Sequence, residues 1–262
     1  AHFDREREQR ASSFASDGEG ETPAVFCPLC NAKLIFNRSN AVSYSGTFSG
    51  TGALTVATGG LTLSGLASYS GATALSADAA APSSIAYNYN TPPSTTGFSG
   101  SGAVTIAPAA GSTFTSAFTP GYTFDSTLTG LTLVANSSTH TQTTTIGSAI
   151  SIAGPISVYG GSITLSRSVT GTGGILLKAK GDILVGASLT LKSTNNNITL
   201  WADSDANGGV IEVREGVTFN TANGSTTQTT GGGAITLAGG NTVDANGLPT
   251  GYAYATSANT AL

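Results

Sequence analysis

Nine short triplets in this chain place a threonine between two apolar residues, and this alternation constrains the fold more than any other feature. Successive side chains of a β-strand point to opposite faces, so alternation with period two predicts strands with one buried face. Gly, Ser, Asn and Asp separate the triplets, which predicts short strands, tight turns and almost no helix. The triplets are Leu54–Val56, Leu61–Leu63, Val104–Ile106, Leu131–Leu133, Ile163–Leu165, Leu189–Leu191, Ile198–Leu200, Val217–Phe219 and Ile235–Leu237.

Repetition along the chain predicts how these strands are arranged. The segment FSGTGALTVA at Phe48–Ala57 returns as FSGSGAVTIA at Phe98–Ala107. From Ile150 onward the apolar strand starts fall into three columns, and a coil of about 23–25 residues with three strands is typical of a right-handed parallel β-helix, or β-solenoid. The predicted columns are Ile150, Ile175, Ile198 and Ile235; then Ile156, Ile183 and Ile211; then Ile163, Leu189 and Val217.

We therefore predict one β-solenoid over residues 41–262, preceded by a flexible or capping amino-terminal arm over residues 1–40. The distribution of charge supports this boundary, because residues 1–40 hold eleven of the twenty-four charged residues whereas residues 41–166 hold only Asp78 and Asp125. Short strands with frequent turns are also typical of an antiparallel β-sandwich. That alternative stays open, most of all for residues 41–149, where the spacing is less regular.

Composition excludes several classes of protein. Only 9% of the residues are charged, whereas the exposed faces of a helical bundle or a coiled coil need many Lys, Glu and Arg side chains. The net charge of -4 argues against nucleic-acid binding. No apolar run reaches the roughly 20 residues of a membrane-spanning helix.

The region from Gly171 to Gly224 resembles the repeat region of filamentous haemagglutinin-like adhesins, very large bacterial exoproteins exported by two-partner secretion. The segments ITLWADSDANGG and GGGAITLAGG, together with the final ANGLPTGYAYATSANTAL, are similar to those repeats. The resemblance is clear over residues 140–262, whereas residues 41–139 resemble these repeats only in general character. It implies a right-handed β-helix at the bacterial surface that acts as a shaft or adhesive stalk. The Asn-Pro-Asn-Gly type of signature of the family's secretion module does not occur here.

The expected function is structural rather than catalytic. We expect an extracellular or cell-surface bacterial protein that acts as an adhesin stalk or as a self-assembling filament subunit of the surface or biofilm matrix. Its expected partners are further copies of itself or host and cell-surface glycans, with no nucleic acid and no membrane span.

Two alternatives belong to other functional classes. A polysaccharide lyase or hydrolase on the same scaffold needs clustered carboxylates and a basic residue in a groove. An ice- or glycan-binding module would instead use the outward threonine faces, with Thr164, Thr190 and Thr218 as the candidate column. In the enzyme hypothesis, the clustered groups beside Trp201 would be Asp203, Asp205, Glu212, Arg214 and Lys178.

The amino-terminal arm contains a Cys-Pro-Leu-Cys pair, Cys27 and Cys30. Such a pair is half of a four-ligand zinc site, and a small local disulfide or two reduced thiols are the other interpretations. The surrounding apolar stretch is expected to cap the open end of the solenoid or to dock on a neighbouring subunit as a donated strand. The apolar residues of this assembly or cap segment are Phe26, Leu29, Leu34, Ile35 and Phe36.

One segment resembles the first half of a calcium loop. Asp203, Asp205 and Asn207 place oxygen ligands at alternate positions, with Gly208 at the sixth. The twelfth position is Arg214 rather than glutamate, so a complete EF-hand is excluded and a solvent-facing Asx turn is the competing interpretation. We expect no other cofactor. His140, which a hydrolase triad or a zinc site would need, lies in a polar run and is expected to be exposed.

Overall fold

A computed structural model describes residues 33–37, 40–76, 83–134, 140–222 and 232–252. Within these ranges the chain is entirely β, with 25 strands and no helix. No helix of the described part is therefore long and apolar enough to span a membrane. The strands are β1 Leu34–Asn37, β2 Val42–Tyr44, β3 Phe48–Gly50, β4 Leu54–Thr58, β5 Gly60–Leu63, β6 Ala67–Tyr69, β7 Thr73–Leu75, β8 Ser84–Asn88, β9 Gly97–Gly100, β10 Ala103–Ala107, β11 Thr123–Phe124, β12 Gly130–Leu133, β13 Thr144–Ile146, β14 Ile150–Ile152, β15 Ile156–Gly160, β16 Ile163–Leu165, β17 Val169–Gly171, β18 Ile175–Ala179, β19 Ile183–Val185, β20 Thr190–Lys192, β21 Ile198–Ala202, β22 Ile211–Val213, β23 Thr218–Asn220, β24 Ile235–Val243 and β25 Pro249–Tyr252.

The strands form the parallel stack of a β-solenoid. The long sheet has the order β2-β5-β8-β10-β12-β15-β18-β21-β24-β25, and the other sheets are β1-β4-β7-β9-β11, β3-β6, β13-β16-β19-β22 and β14-β17-β20-β23. All strand pairs are parallel except β24 with β25. The predicted solenoid is confirmed, and the β-sandwich alternative is wrong, because a sandwich pairs its neighbouring strands antiparallel.

Inward-facing apolar side chains stack in columns along the solenoid axis. In the long sheet one column continues through Ile156, Ile175, Ile198 and Ile235. Burial alternates along each strand, and the first three members of this column are almost completely buried. Each buried Ile or Leu contributes roughly 1.5–3 kcal/mol of transfer free energy, so the columns supply most of the stabilisation.

The predicted columns are correct from Ile175, Ile183 and Leu189 onward. The first member predicted for each column, Ile150, Ile156 or Ile163, belongs to a different column. Ile150 starts β14, whose column continues through β17 to Leu191, and Ile156 is the residue that stacks on Ile175. The reason is coil length: Ile175 follows Ile156 by only 19 positions, whereas Ile198 follows Ile175 by 23. A constant period therefore misplaces the shorter coil by one strand.

The threonine column predicted for an ice-binding face is also wrong in its membership. Thr164 lies on β16 and stacks between Thr145 and Leu184, whereas Thr190 pairs with Thr218 in a different sheet. The longest outward series of hydroxyl residues lies on the long sheet instead, where it is interrupted by Ala86 and Leu176. Its members are Ser43, Thr62, Thr105, Thr132, Ser157, Thr199 and Thr236.

The direct repeat of ten residues does not repeat its position in the coil. The first copy forms β3 and β4, in the two-stranded and five-stranded sheets, whereas the second forms β9 and β10, in the five-stranded and long sheets. The repeat therefore encodes a local strand-turn-strand unit. Its turn needs glycine: Gly100 has a φ of 92°, and a Cβ there would lie 1.6 Å from the carbonyl oxygen of Leu75.

The solenoid ladder begins before residue 41. Strand β1 pairs parallel with β4, with Leu34 opposite Leu54 and Phe36 opposite Val56. Leu34 and Phe36 pack against the core. The end strand of the stack therefore belongs to the segment that the sequence assigns to the amino-terminal arm.

A polar cluster interrupts the apolar core in the amino-terminal half. The hydroxyl of Thr73 lies 2.5 Å from that of Tyr69, 3.3 Å from that of Tyr87 and 3.2 Å from that of Thr95. The hydroxyls of Tyr69 and Tyr87 also contact each other. All four residues are buried, and burial raises the pKa of both tyrosines. Thr73 therefore connects a network in which every hydroxyl has a partner.

We predict that Thr73→Val destabilises the protein by about 1–3 kcal/mol, because it deprives three buried hydroxyls of a shared partner while the shape of the side chain is retained. Urea unfolding measures the change in the free energy of unfolding. The control is Thr62→Val, at an outward position of β5, for which we expect a change within about 0.5 kcal/mol. Equal effects of the two substitutions would show that the cluster contributes no stability of its own.

Candidate functional site

Trp201, the single tryptophan of the chain, is the centre of the candidate site. It lies on the outward side of β21 directly above Lys178 of β18. The ammonium nitrogen of Lys178 is 3.5 Å from the ring centroid, which is a close cation–π contact. Partial burial lowers the pKa of Lys178. Lys178 is thus held against an aromatic face.

The β24–β25 hairpin fixes the other side of Trp201. The indole Nε1 donates to the carbonyl oxygen of Gly240 at 2.6 Å, and only 8% of the Trp201 surface is exposed. At the hairpin tip, one carboxylate oxygen of Asp244 accepts from the backbone N–H groups of Asn246 and Leu248. These two hydrogen bonds, with that of Leu248 the larger cause, lower the pKa of Asp244. The tip is therefore an ordered Asx turn.

A groove of about 320 Å³ lies between this tip and the outer face of the long sheet. Its floor includes Ser157, Leu176 and Thr199, which are stacked outward residues of β15, β18 and β21. Its walls include Trp201 and the segment from Gly247 to Pro249. Trp201 is a candidate on the sequence alone, whereas the groove is visible only in the fold. The dipeptide Asn246-Gly247 was the available signal for the hairpin.

The predicted calcium residues form a tight turn after β21. Asp203 accepts a hydrogen bond from the N–H of Gly208 at 2.7 Å, and Asp205 accepts one from the N–H of Asn207 at 3.3 Å. Left-handed backbone at Asp203 and Ala206 accompanies these bonds. Within the described residues, no three His, Cys, Asp or Glu side chains are grouped so that they could hold a metal ion. Calcium binding by Asp203, Asp205 and Asn207 stays a prediction.

The charged residues proposed for a hydrolase or lyase are engaged separately. Glu212 and Arg214 form an exposed ion pair at 3.0 Å on and just after β22. Lys178 lies on Trp201, in a different sheet. The structure thus places Glu212 and Arg214 with each other, and Asp203 and Asp205 in their turn.

His140 is completely buried, so the expectation that it is exposed is wrong. Its Nδ1 lies 2.9 Å from the hydroxyl of Thr113, and its ring packs edge-on against Phe114 at a centroid distance of 5.6 Å. Its Nε2 has no hydrogen-bond partner among the described residues. Burial, with a smaller contribution from Lys180, lowers the pKa of His140. No local sequence signal marks this site, because Thr113 and Phe114, which contact His140, precede it by 27 and 26 residues.

The assembly or cap residues fall into two groups. Leu34 and Phe36 are half-buried on β1, whereas Ile35 points outward and is 53% exposed. Phe26, Leu29, Cys27 and Cys30 lie outside the described residues, so the zinc, disulfide and thiol interpretations stay predictions. At the other end, Ile235 and Leu237 continue inward columns but are 46% and 36% exposed, because no described coil follows them.

Comparison of the chain with protein-family models, with curated proteins and with solved structures gives no match.

We predict that stability falls as the pH is lowered from about 7 to about 5. Burial lowers the pKa of His140 in the folded state, so the folded protein binds a proton there more weakly than the unfolded chain, whose ordinary pKa is about 6.5. The stabilising contribution is thus complete above that pKa and is lost as the pH falls, by up to about 1.4 kcal/mol per pH unit. Urea unfolding across this range measures it.

In the variant His140→Gln we expect a flatter dependence on pH. Asp125 and Asp244 contribute little to the slope between about pH 7 and about pH 5, because a carboxyl group of the unfolded chain titrates below this range, near pKa about 3.9, and hydrogen bonds lower the pKa of both groups further in the folded state. His2→Gln controls for the loss of a histidine elsewhere. An unchanged slope in His140→Gln would contradict the assignment.

Proposed function

We propose that this chain is a bacterial extracellular structural protein that acts as an adhesive stalk or as a subunit of a surface filament. The observation that carries this proposal is the uninterrupted parallel ladder of the long sheet from β2 to β24. Eight spacings of about 4.8 Å between nine strands give a rod of about 40 Å. Such a ladder pairs its backbone groups internally and gives the rod length and stiffness.

The use of the charged side chains also supports a structural role. A polysaccharide lyase or hydrolase would need carboxylates and a base that face one substrate. Here Asp203 and Asp205 cap their own turn, Glu212 pairs with Arg214, and Lys178 lies on Trp201. We therefore favour the stalk or filament over the enzyme.

The two ends of the described stack differ in a way that bears on assembly. At the amino-terminal end, the outer edges of β1, β2 and β3 have no partner strand among the described residues. At the other end, β25 pairs antiparallel with β24 and covers part of the edge of the long sheet, whereas β22 and β23 end their sheets. Unpaired edges are where further strands add. Growth of a filament would use β1, β2 and β3 at one end and β22 and β23 at the other.

We predict that the purified chain forms unbranched fibres by negative-stain electron microscopy at neutral pH, with and without calcium. Ile35→Lys should abolish or strongly shorten the fibres, because it places a charge on the free end strand while the exposed side chain makes little contribution to the core. Thr105→Lys, on an outward position of β10 away from the ends, is the matched control and should leave the fibres intact.

Two results would count against this proposal. Dispersed short rods would contradict filament formation and leave only the stalk. Release of new sugar ends from an acidic polysaccharide, lost in Lys178→Ala, would contradict the structural role and support the enzyme.

A further inference from the structure

We propose that the groove between the outer face of the long sheet and the tip of the β24–β25 hairpin binds a short, neutral oligosaccharide. This inference rests on the proposed function, since it supplies the stalk with a specific adhesive site. The bound ligand would lie on Leu176, between Ser157 and Thr199, and against the segment Gly247–Pro249.

The size of the groove fits this ligand. Pockets for small molecules have volumes of roughly 300–1,000 Å³, and a volume of about 320 Å³ lies at the lower end of that range. It accommodates about one or two sugar rings. One side is open to solvent, so a longer chain can extend outward from the bound rings.

The floor has the chemistry of a sugar-binding surface. Ser157, Leu176 and Thr199 are consecutive members of one outward column, at a strand spacing of about 4.8 Å. An apolar platform thus lies between two hydroxyl side chains that are about 10 Å apart, of which Thr199 is the more deeply buried, with 6% of its surface exposed. A pyranose ring presents an apolar C–H face with hydroxyl groups around its rim, which matches this order of side chains. Leu248 and Pro249 add apolar contact from the wall.

Two asparagines at the edge of the groove offer uncharged hydrogen-bonding groups. Asn196 donates to the carbonyl oxygens of Thr172 at 2.8 Å and Thr194 at 2.9 Å, which leaves its side-chain oxygen as an acceptor. Asn197 accepts from the N–H of Ala234 at 2.9 Å, and its amide NH₂ has no partner among the described residues. The pair thus presents one acceptor and one donor in fixed orientations.

The lining favours a neutral sugar over other ligands. No charged side chain lines the described groove, and the nearby Lys178 already lies on Trp201. An acidic saccharide would therefore find no free cation. An extended peptide that adds a strand needs an unpaired sheet edge, whereas the floor here is the face of a sheet whose β15, β18 and β21 backbones pair with one another.

Trp201 provides a site-specific signal for binding, because it is the only tryptophan and lines the groove. The experiment titrates the full chain with cellotriose, maltotriose and chitotriose up to about 10 mM and follows tryptophan fluorescence. Trigalacturonic acid and an uncharged ten-residue peptide are titrated in parallel. We expect a saturable change with at least one neutral trisaccharide and none with the acidic sugar or the peptide.

Leu176→Ala removes the platform and should weaken binding at least tenfold. Leu184→Ala is the matched control, since Leu184 is also a half-buried outward leucine, on β19 outside the groove, and should change the affinity less than about twofold. Ser157→Leu fills the floor without creating a cavity and should also abolish binding, so the test does not depend on the folding of one variant.

The proposal is overturned if no neutral trisaccharide gives a saturable change, if the acidic sugar or the peptide binds more tightly, or if Leu176→Ala and Leu184→Ala weaken binding equally. Its failure is distinguishable from failure of the structural role. Fibres that bind no sugar would contradict only the proposed sugar site. Sugar binding by a chain that forms no fibres would contradict only filament formation.

Discussion

Stacking of each coil on the one before it is the interaction on which this structure depends. A single coil of three short strands has an apolar interior with nothing beneath it, and only the next coil covers it. Parallel register makes this possible, because it sets like residues above one another, as in the column Leu133, Val158, Leu177 and Leu200. The same stacking satisfies the backbone groups of the inner strands.

The cost of this arrangement appears at the ends and at breaks in the columns. Ile235 and Leu237 occupy inward positions but are exposed, since the described stack ends there. In the amino-terminal half, Thr73 and Thr95 occupy buried positions and satisfy each other together with Tyr69 and Tyr87. Elsewhere the stacked apolar columns leave little room in the core for ionisable groups. The charged side chains therefore lie in turns and on the outer faces, where they stabilise local geometry.

Local alternation predicted the fold, and the same signal explains the errors. The apolar-Thr-apolar triplets gave strands with the correct inward faces, since period two depends only on neighbouring residues. Ile150 and Ile156 were assigned to the wrong columns because isoleucine starts strands in all three columns. Only the length of the coil distinguishes one column from another. The burial of His140 was missed because Phe114 and Thr113, which contact it, are far away in sequence.

The candidate site was only partly predictable for a similar reason. Lys178 and Trp201 lie at equivalent positions of consecutive coils, so their contact follows once the register of Ile175 and Ile198 is known. The Asx turn at Asp203 was also one of the sequence interpretations. The hairpin that returns onto the outer face, with Gly240 bonded to Trp201, is a tertiary arrangement that no period in the sequence encodes.

The distance between spin labels on outward residues of the long sheet tests the parallel stack most directly. With Cys27 and Cys30 replaced by serine, labels are attached to cysteines introduced at Thr62 and Ser157, and in a second variant at Thr62 and Thr236. These pairs are separated by four and seven strand spacings, so pulsed electron paramagnetic resonance should give about 19 Å and about 34 Å. Two distances that are equal, or that do not grow with the number of strands, would contradict a single solenoid.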